Sequence, residues 1–219
     1  MKQSLVIVPS RHRNEQHKEF VKEFQANSTA SDLMFVLDRD NQQVYERMPG
    51  VIYHVHDTQT RGIGEPLNST ALANSDKYKY IGFMGDDHRT RTPGWDQTMI
   101  DGSRHSKTCV CYGDDLIQGK LLPTAVLLSA NIVSTLGFMA PPVLKHLYLD
   151  EFWRDLGKAL GSLFYFPEVV IEHMHHSQGK SLPDKTYSEA GDKATRRLDR
   201  DAYRKYQAEQ MALDVEKLR

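Results

Sequence analysis

The sequence predicts an α/β domain whose helices flank a central, mostly parallel sheet, with a helical extension towards the C-terminus. Three observations carry this expectation. Four short apolar runs (5–8, 33–37, 51–55 and 80–84) punctuate the first hundred residues. They are nearly continuous rather than alternating, as strands buried on both faces are. Helix-patterned segments lie between the first and second runs and between the third and fourth, and strand alternating with helix marks a layered α/β sheet.

Each element has its own local reason. Residues 14–26 place Phe20, Val21 and Phe24 on one stripe. Asn14 is the candidate cap, and Glu15 complements the helix dipole in the first turn. Residues 64–74 set Leu67, Ala71 and Leu72 inward. Residues 108–112 read as a strand, and 125–136 as either a buried helix or a strand pair. Residues 146–159 read as a helix carrying Asp150, Glu151, Trp153 and Asp155, and 169–174 as a strand running into histidines. Segment 177–193, rich in Gly, Ser, Pro, Lys and Asp, suits a mobile loop. Residues 194–219 read as one amphipathic helix with Met211, Val215 and Leu218 on one side. Trp95 and Trp153 are expected in the core.

Composition excludes several classes. Of 219 residues, 39% are hydrophobic and 26% charged, which fits a globular chain rather than a disordered or fibrous one. Lys+Arg is 28 against 29 for Asp+Glu, a formal charge of -1, so bulk charge does not point to a polybasic nucleic-acid binder. From residue 177 onward ten basic residues meet eight acidic ones. That surplus is too small for a nucleic-acid tail, although Arg196, Arg197, Arg200, Arg204 and Lys205 cluster within it. Two cysteines rule out a disulfide framework, and Cys109 and Cys111 read as core thiols on one strand face. Run 5–8 is too short for a signal-peptide core and is closed by Pro9. Residues 121–144 carry no charge, but Pro123, Gly137, Pro141 and Pro142 favour a buried helix and loop over a membrane span. The cytoplasm is the expected location.

The residues that follow the strands carry the chemistry. Pro9, Ser10, Arg11, His12 and Arg13 follow the first run, Asp38, Arg39 and Asp40 the second, His56 and Asp57 the third, and Gly85, Asp86, Asp87 and His88 the fourth. Open α/β sheets bind ligands outside the carboxyl ends of their strands. Cations suited to phosphate and acids suited to a metal therefore collect on one edge. Adjacent carboxylates such as Asp86 and Asp87 can hold a divalent ion that also binds a diphosphate. The run Glu172-His173-Met174-His175-His176 adds imidazoles, and strand alternation puts His173 and His175 on one face. Imidazole beside carboxylate favours manganese or a similar ion over a pure magnesium site. Solvated turn aspartates and a histidine-rich strand end are the plainer readings of the same residues.

The Pro9-Ser10-Arg11 start, Asp38 after the second strand and the Gly85-Asp86-Asp87 motif together resemble nucleotide-sugar glycosyltransferases of the Rossmann-like GT-A fold. Arg91-Thr92-Pro93-Gly94-Trp95-Asp96 is similar to the Pro-Gly-Trp turn that often follows the acidic motif in those enzymes. Leu136-Gly137-Phe138 and Leu149-Asp150-Glu151-Phe152-Trp153 are similar to their acceptor-side segment. The stretch 82–96 resembles small members encoded by bacteriophages and some bacteria. The resemblance spans residues 5–176 and implies one GT-A domain over 1–176. Its nucleotide-binding half would cover 1–100 and its acceptor half 101–176, with 177–219 as a loop and helix packed on the same domain.

The resemblance also implies roles. Pro9, Ser10, Arg11 and Arg13 would line the nucleotide, with an arginine on the diphosphate, and Asp38 would contact base or ribose. Asp86 would reach ribose or metal, Asp87 would be the firmer metal ligand, and His173 or His175 would complete the shell. Asp150 matches the general base of inverting members. In a retaining enzyme Asp114 and Asp115 would orient the donor sugar instead. Many members carry three acids or Asp-x-Asp where this chain has Asp86-Asp87-His88, so His88 is a substituted ligand or a bystander. The implied activity is transfer of a sugar from a UDP- or GDP-sugar to an acceptor hydroxyl with Mn2+ or Mg2+. The implied acceptor is a phage macromolecule, either hydroxymethylated pyrimidine in DNA or a virion protein, in the host cytoplasm if the gene is viral. No membrane partner is implied. The alternatives are nucleotidyl transfer, for which no Gly-rich phosphate loop is present, and a non-catalytic nucleotide- or metal-binding module.

Overall fold

The four apolar runs of the first hundred residues become the first four strands of a sheet, and the segments between them pack against it. The computed structural model describes residues 2–57, 62–175, 179–180 and 193–219. Its strands are β1 (Ser4–Ser10), β2 (Ser31–Asp38), β3 (Val51–His56), β4 (Tyr80–Phe83), β5 (His88–Thr90), β6 (Val110–Asp114), β7 (Val126–Ser129) and β8 (Leu163–His173). Its helices are α1 (Asn14–Asn27), α2 (Gly64–Leu72), α3 (Trp95–Ser103), α4 (Ala130–Leu136), α5 (Leu149–Leu160), α6 (Lys193–Glu209) and α7 (Met211–Leu218).

The strand order is β3-β2-β1-β4-β7-β6-β8-β5. β1 runs parallel to β2 and β4, β2 to β3, and β6 to β8. β7 is antiparallel to both β4 and β6, and β5 is antiparallel to β8. One inverted strand between β4 and β6 leaves those two pointing the same way. The carboxyl ends of β1, β2, β3, β4, β6 and β8 therefore open on one edge, and this places the site.

The inner strands β1, β2, β4 and β7 are buried on both faces, which explains their unalternated sequence, whereas the edge strand β3, expected to be buried on both faces, is only partly covered, with Ile52 40% exposed. Leu5 and Ile7 enter one core and Val6 and Val8 the other, all fully buried. α1 and α3 cover the second face with Phe20, Phe24, Trp95 and Met99. α2, α4, α5, α6 and α7 cover the first with Leu67, Ile132, Trp153, Tyr203 and Leu218. Burying one such side chain contributes about 1.5–3 kcal/mol. The indole N–H groups are satisfied where they are buried: Trp95 donates to Ser28 Oγ (2.8 Å) and Trp153 to Met139 O (2.8 Å).

Several expectations change in detail. Asn14 opens α1 instead of capping it; Arg13 holds the cap position without a side-chain cap, since a guanidinium has no acceptor for a helix N–H, and it pairs with Asp86 instead. The inward stripe of α2 stops at Ala71, with Leu72 45% exposed. β6 starts two residues later than expected. Residues 125–136 are neither helix alone nor strand pair but β7 followed directly by α4, with Ala130 N–H bonded to Lys79 O (2.8 Å) at the junction. The C-terminal extension is two helices broken at Gln210. Tyr203 there donates to Asp155 Oδ2 on α5 (2.8 Å), and Tyr206 meets Phe152 edge-on at 5.8 Å. Among the described residues no helix is long and apolar enough to cross a membrane. Most of the loop expected at 177–193, and His176, lie outside the described residues.

Candidate metal and nucleotide site

The first loop of the site is held by its own polar residues. At the end of β1, Ser10 Oγ donates to Asp86 Oδ2 (2.6 Å) and lies 2.9 Å from the Tyr45 hydroxyl. Tyr45 OH also accepts the Arg13 N–H (3.1 Å). Arg13 is 5% exposed. Its guanidinium pairs with Asp86 and reaches within 3.4 Å of Asp87 Oδ2. Burial pushes the Asp86 carboxyl up to about 6 against the pull of Arg13, with Asp87 adding to the rise. Arg11 forms a two-pronged pair with Asp40 (2.8 and 2.8 Å) and bonds Asp38 Oδ2 (2.5 Å). Both expected phosphate-side arginines thus engage carboxylates here. Asp38 joins Arg11 towards the outer part of the edge.

The acidic motif and the late histidines meet because β5 pairs with β8. His88 lies directly opposite His173 in that register, and their rings stack with centroids 4.4 Å apart at 16°. Asp87 sits between their nitrogens: Oδ1 is 3.5 Å from His88 Nδ1 and Oδ2 is 3.5 Å from His173 Nε2. One donor atom from each of Asp87, His88 and His173 lies within 4.8 Å of the other two. Burial opposes ionisation of Asp87, but the neighbouring imidazoles of His173 and His88 outweigh that and hold the carboxyl well below its ordinary range. Burial pushes His88 down, and neighbouring His173 adds to this. One charged carboxylate and neutral imidazole suit a divalent transition ion.

The expected ligand His175 is not in this grouping. Its ring stands edge-on to His173 at 5.1 Å, just beyond the end of β8. His88 takes the third place. That His88 comes to face His173 depends on a strand pairing 85 residues apart in the chain, which no local pattern announces.

Asp115 stands behind both histidines. It is 3% exposed. Oδ1 accepts the N–H groups of Ile117 (2.9 Å), Gln118 (2.6 Å) and Gly119 (2.9 Å), and Oδ2 accepts the Thr124 hydroxyl (2.8 Å). The Thr124 proton is committed to Asp115, so Thr124 Oγ1 receives His88 Nε2–H (3.4 Å). This relay assigns the lone pair to His88 Nδ1, which accepts the Gly85 N–H (3.1 Å) and lies beside Asp87. Asp115 Oδ2 also lies 4.0 Å from His173 Nδ1. Burial pushes the Asp115 carboxyl up, and the hydrogen bonds to Gly119, Ile117 and Thr124 more than offset it. Asp114 Oδ1 accepts the N–H of Leu116 (2.8 Å), a residue held at φ +61.

Asp150 lies in the first turn of α5, after Tyr148 at φ +67. Burial pushes its carboxyl well above the usual range, and neighbouring Glu151 adds to the rise. The turn before α5 borders the metal end. Burial lowers the pKa of His146, and the charges of Asp199, Arg13 and Asp87 also act on it. Tyr45, Thr124 and His146 were absent from the sequence expectations; each owes its place to tertiary packing, with no local pattern to announce it.

No protein-family model matches the sequence, and no curated protein sequence matches it. Solved structures do. The mannosyltransferase PcManGT of Pyrobaculum calidifontis, solved with GDP-Man and Mn2+, is 10% identical with a TM-score of 0.60 over 99% of this chain and 72% of that one. Glucosyl-3-phosphoglycerate synthase of Mycobacterium tuberculosis, solved with Mn2+, UDP and phosphoglyceric acid, is 12% identical with a TM-score of 0.59 over 84% and 80%. TarS of S. aureus is 13% identical with a TM-score of 0.57 over 78% of this chain, which spans 36% of TarS. The fold is the Rossmann-like GT-A fold.

Proposed function

We propose that this protein is a metal-dependent glycosyltransferase that moves a sugar from a UDP- or GDP-sugar to an acceptor hydroxyl. The observation that carries the reading is the Asp87, His88 and His173 grouping on the carboxyl edge of a GT-A sheet. It adjoins a loop holding Ser10, Arg13 and Asp86. Similar folds solved with Mn2+ and a nucleotide support it. Asp87, His88 and His173 would hold the ion, and two imidazoles would favour Mn2+ over Mg2+. Bound there, it supplies positive charge to a leaving diphosphate. Arg13 brings a second, permanent charge to the same place. Ser10 and Tyr45 fix the loop, with Pro9 beneath it, and Arg11 with Asp38 forms the nucleoside end. Asp150 is the base that takes the acceptor proton, and a raised pKa suits that task.

The acceptor is proposed to be anionic, with DNA bearing hydroxymethylated pyrimidine ahead of a virion protein. Lys193, Arg196, Arg197, Arg200 and Arg204 fall within about a third of the circumference of α6 at 3.6 residues per turn. All but the half-buried Arg200 are exposed. The proposed location is the cytoplasm, which the two free, buried thiols Cys109 and Cys111 support.

A panel of UDP- and GDP-sugars is screened by thermal shift with and without Mn2+. One sugar nucleotide should raise the melting point only with the ion, and the Asp87→Ala variant should lose that rise together with transfer. Full activity of that variant in a chelator sinks the proposal, as does pyrophosphate release from a nucleoside triphosphate in place of sugar transfer. Transfer to DNA should fall steeply with salt; salt-insensitive transfer to protein alone overturns the acceptor assignment.

A further inference from the structure

We infer that Asp199 of α6 is a positioning residue for the acceptor half of the site, an inference that rests on the transfer reading above. Asp199 is 1% exposed. Its carboxylate accepts three successive main-chain N–H groups: Oδ1 takes Lys145 (3.1 Å), and Oδ2 takes His146 (2.9 Å) and Leu147 (2.8 Å). A buried carboxylate needs such partners, and successive amides turned inward form a cradle for one anion. The next residue, Tyr148, has φ +67, a left-handed conformation that strains a non-Gly residue. Asp150 follows two residues later.

The same turn is gripped from the opposite side. Gly64 N–H, at the start of α2, donates to Lys145 O (2.9 Å). A Cβ at Gly64 would lie 2.3 Å from Leu144 O, so nothing larger fits there. The turn is thus clamped between α2 and α6, and the clamp offsets the strain at Tyr148. It fixes where α5 begins, and with it the places of His146 and Asp150. Asp199 touches no reacting group; its effect passes through the turn. α6 therefore serves the chemistry, although its sequence shows only an amphipathic helix.

The test uses the full chain as Asp199→Ala and Asp199→Asn. Asn keeps an oxygen for His146 and Leu147 but turns an amide towards Lys145 N–H, so it should fall between wild type and Ala. Hydrogen exchange reads the amides of 145–147. Calorimetry with Mn2+ plus UDP or GDP reads donor-side binding. Release of nucleoside diphosphate from UDP-glucose or GDP-mannose, with water as acceptor, reads turnover. In Asp199→Ala the three amides should exchange faster and nucleotide affinity should hold, while kcat falls about 30- to 100-fold, as misplacement of a reacting group by an ångström does. A kcat within about threefold of wild type despite freed amides overturns the inference. So does a loss of nucleotide affinity that matches the loss of kcat, in either variant. A wild-type protein inert towards both donors instead brings down the transfer reading itself, and the two failures are told apart by whether wild type turns over.

Discussion

Replacing Asp115 separates stability from ion binding at this site. In Asp115→Ala, the N–H groups of Ile117, Gln118 and Gly119 and the Thr124 hydroxyl lose their acceptor. Hydrogen bonds to a charged group contribute about 1.5–3 kcal/mol each when fully buried. Gln118 is exposed and Ile117 and Gly119 half-buried, so water replaces part of what is lost, and a net cost of about 3 kcal/mol is expected. For a chain of this length that lowers Tm by about 6–12 °C. Asp115→Asn keeps one oxygen for the three amides, and its cost should be about 1 kcal/mol, or 2–4 °C. Yet Asn no longer takes the Thr124 proton as a carboxylate does, so the Thr124 hydroxyl is no longer held as the acceptor of His88 Nε2–H. Outer partners of metal ligands typically contribute 10–100-fold in affinity; because Asp115 acts on His88 through Thr124 and stands 4.0 Å from His173, the lower end, about tenfold, is expected. Thermal melts and Mn2+ calorimetry on the two variants check both numbers. An Asn variant that melts as expected but binds Mn2+ as tightly as wild type refutes the argument that Asp115 orders the histidines.

Other expectations follow from the same geometry. His88→Ala should weaken Mn2+ binding with little change in fold, whereas His175→Ala should bind Mn2+ as wild type does; calorimetry on both decides which imidazole completes the grouping. Removing the Glu151 side chain's effect with Glu151→Gln should lower the raised pKa of Asp150, so the acid limb of the kcat–pH profile should move to lower pH, because the base then stays deprotonated further into acid. Asp214 is held below its ordinary pKa: burial raises it, but Lys217, Tyr206 and Gln210 outweigh that. Its contribution is therefore present above the unfolded value of 3.8 and lost as pH falls through the lower folded one, and melting curves of wild type and Asp214→Asn should converge in acid. A Cβ at Gly113 would lie 2.3 Å from the Val169 carbonyl oxygen, so Gly113→Ala should cost about 1–3 kcal/mol by denaturant titration.

The strands of the first half were legible because a sheet buried on both faces demands continuous apolar runs, and Leu5, Val6, Ile7 and Val8 supply one without interruption. The edge was legible because Asp38, Asp86 and Asp87 directly follow such runs. What was not legible is whatever depends on strands far apart in sequence. His88 reads as a substituted ligand or a bystander, and nothing local shows that β5 will set it opposite β8; nor does any local pattern show that three amides and Thr124 close around Asp115. Asp199 lies in a segment whose periodicity announces only an amphipathic helix, and nothing local distinguishes a carboxylate that caps a distant turn from one facing water. The region 125–136 defeated periodicity for a related reason: β7 and α4 are both uncharged and abut without a loop, so no turn residue marks the change.

Positions 88 and 173 face one another across a short backbone ladder, and this has a consequence for how the edge can diverge. Exchanging either imidazole for an oxygen donor changes which ion the pair prefers while the chain stays where it is. Inserting one residue in either strand turns its side chain to the opposite surface and deletes the pair at once. Relatives of this chain should thus vary freely in the identity of these two residues, but keep the spacing around them fixed.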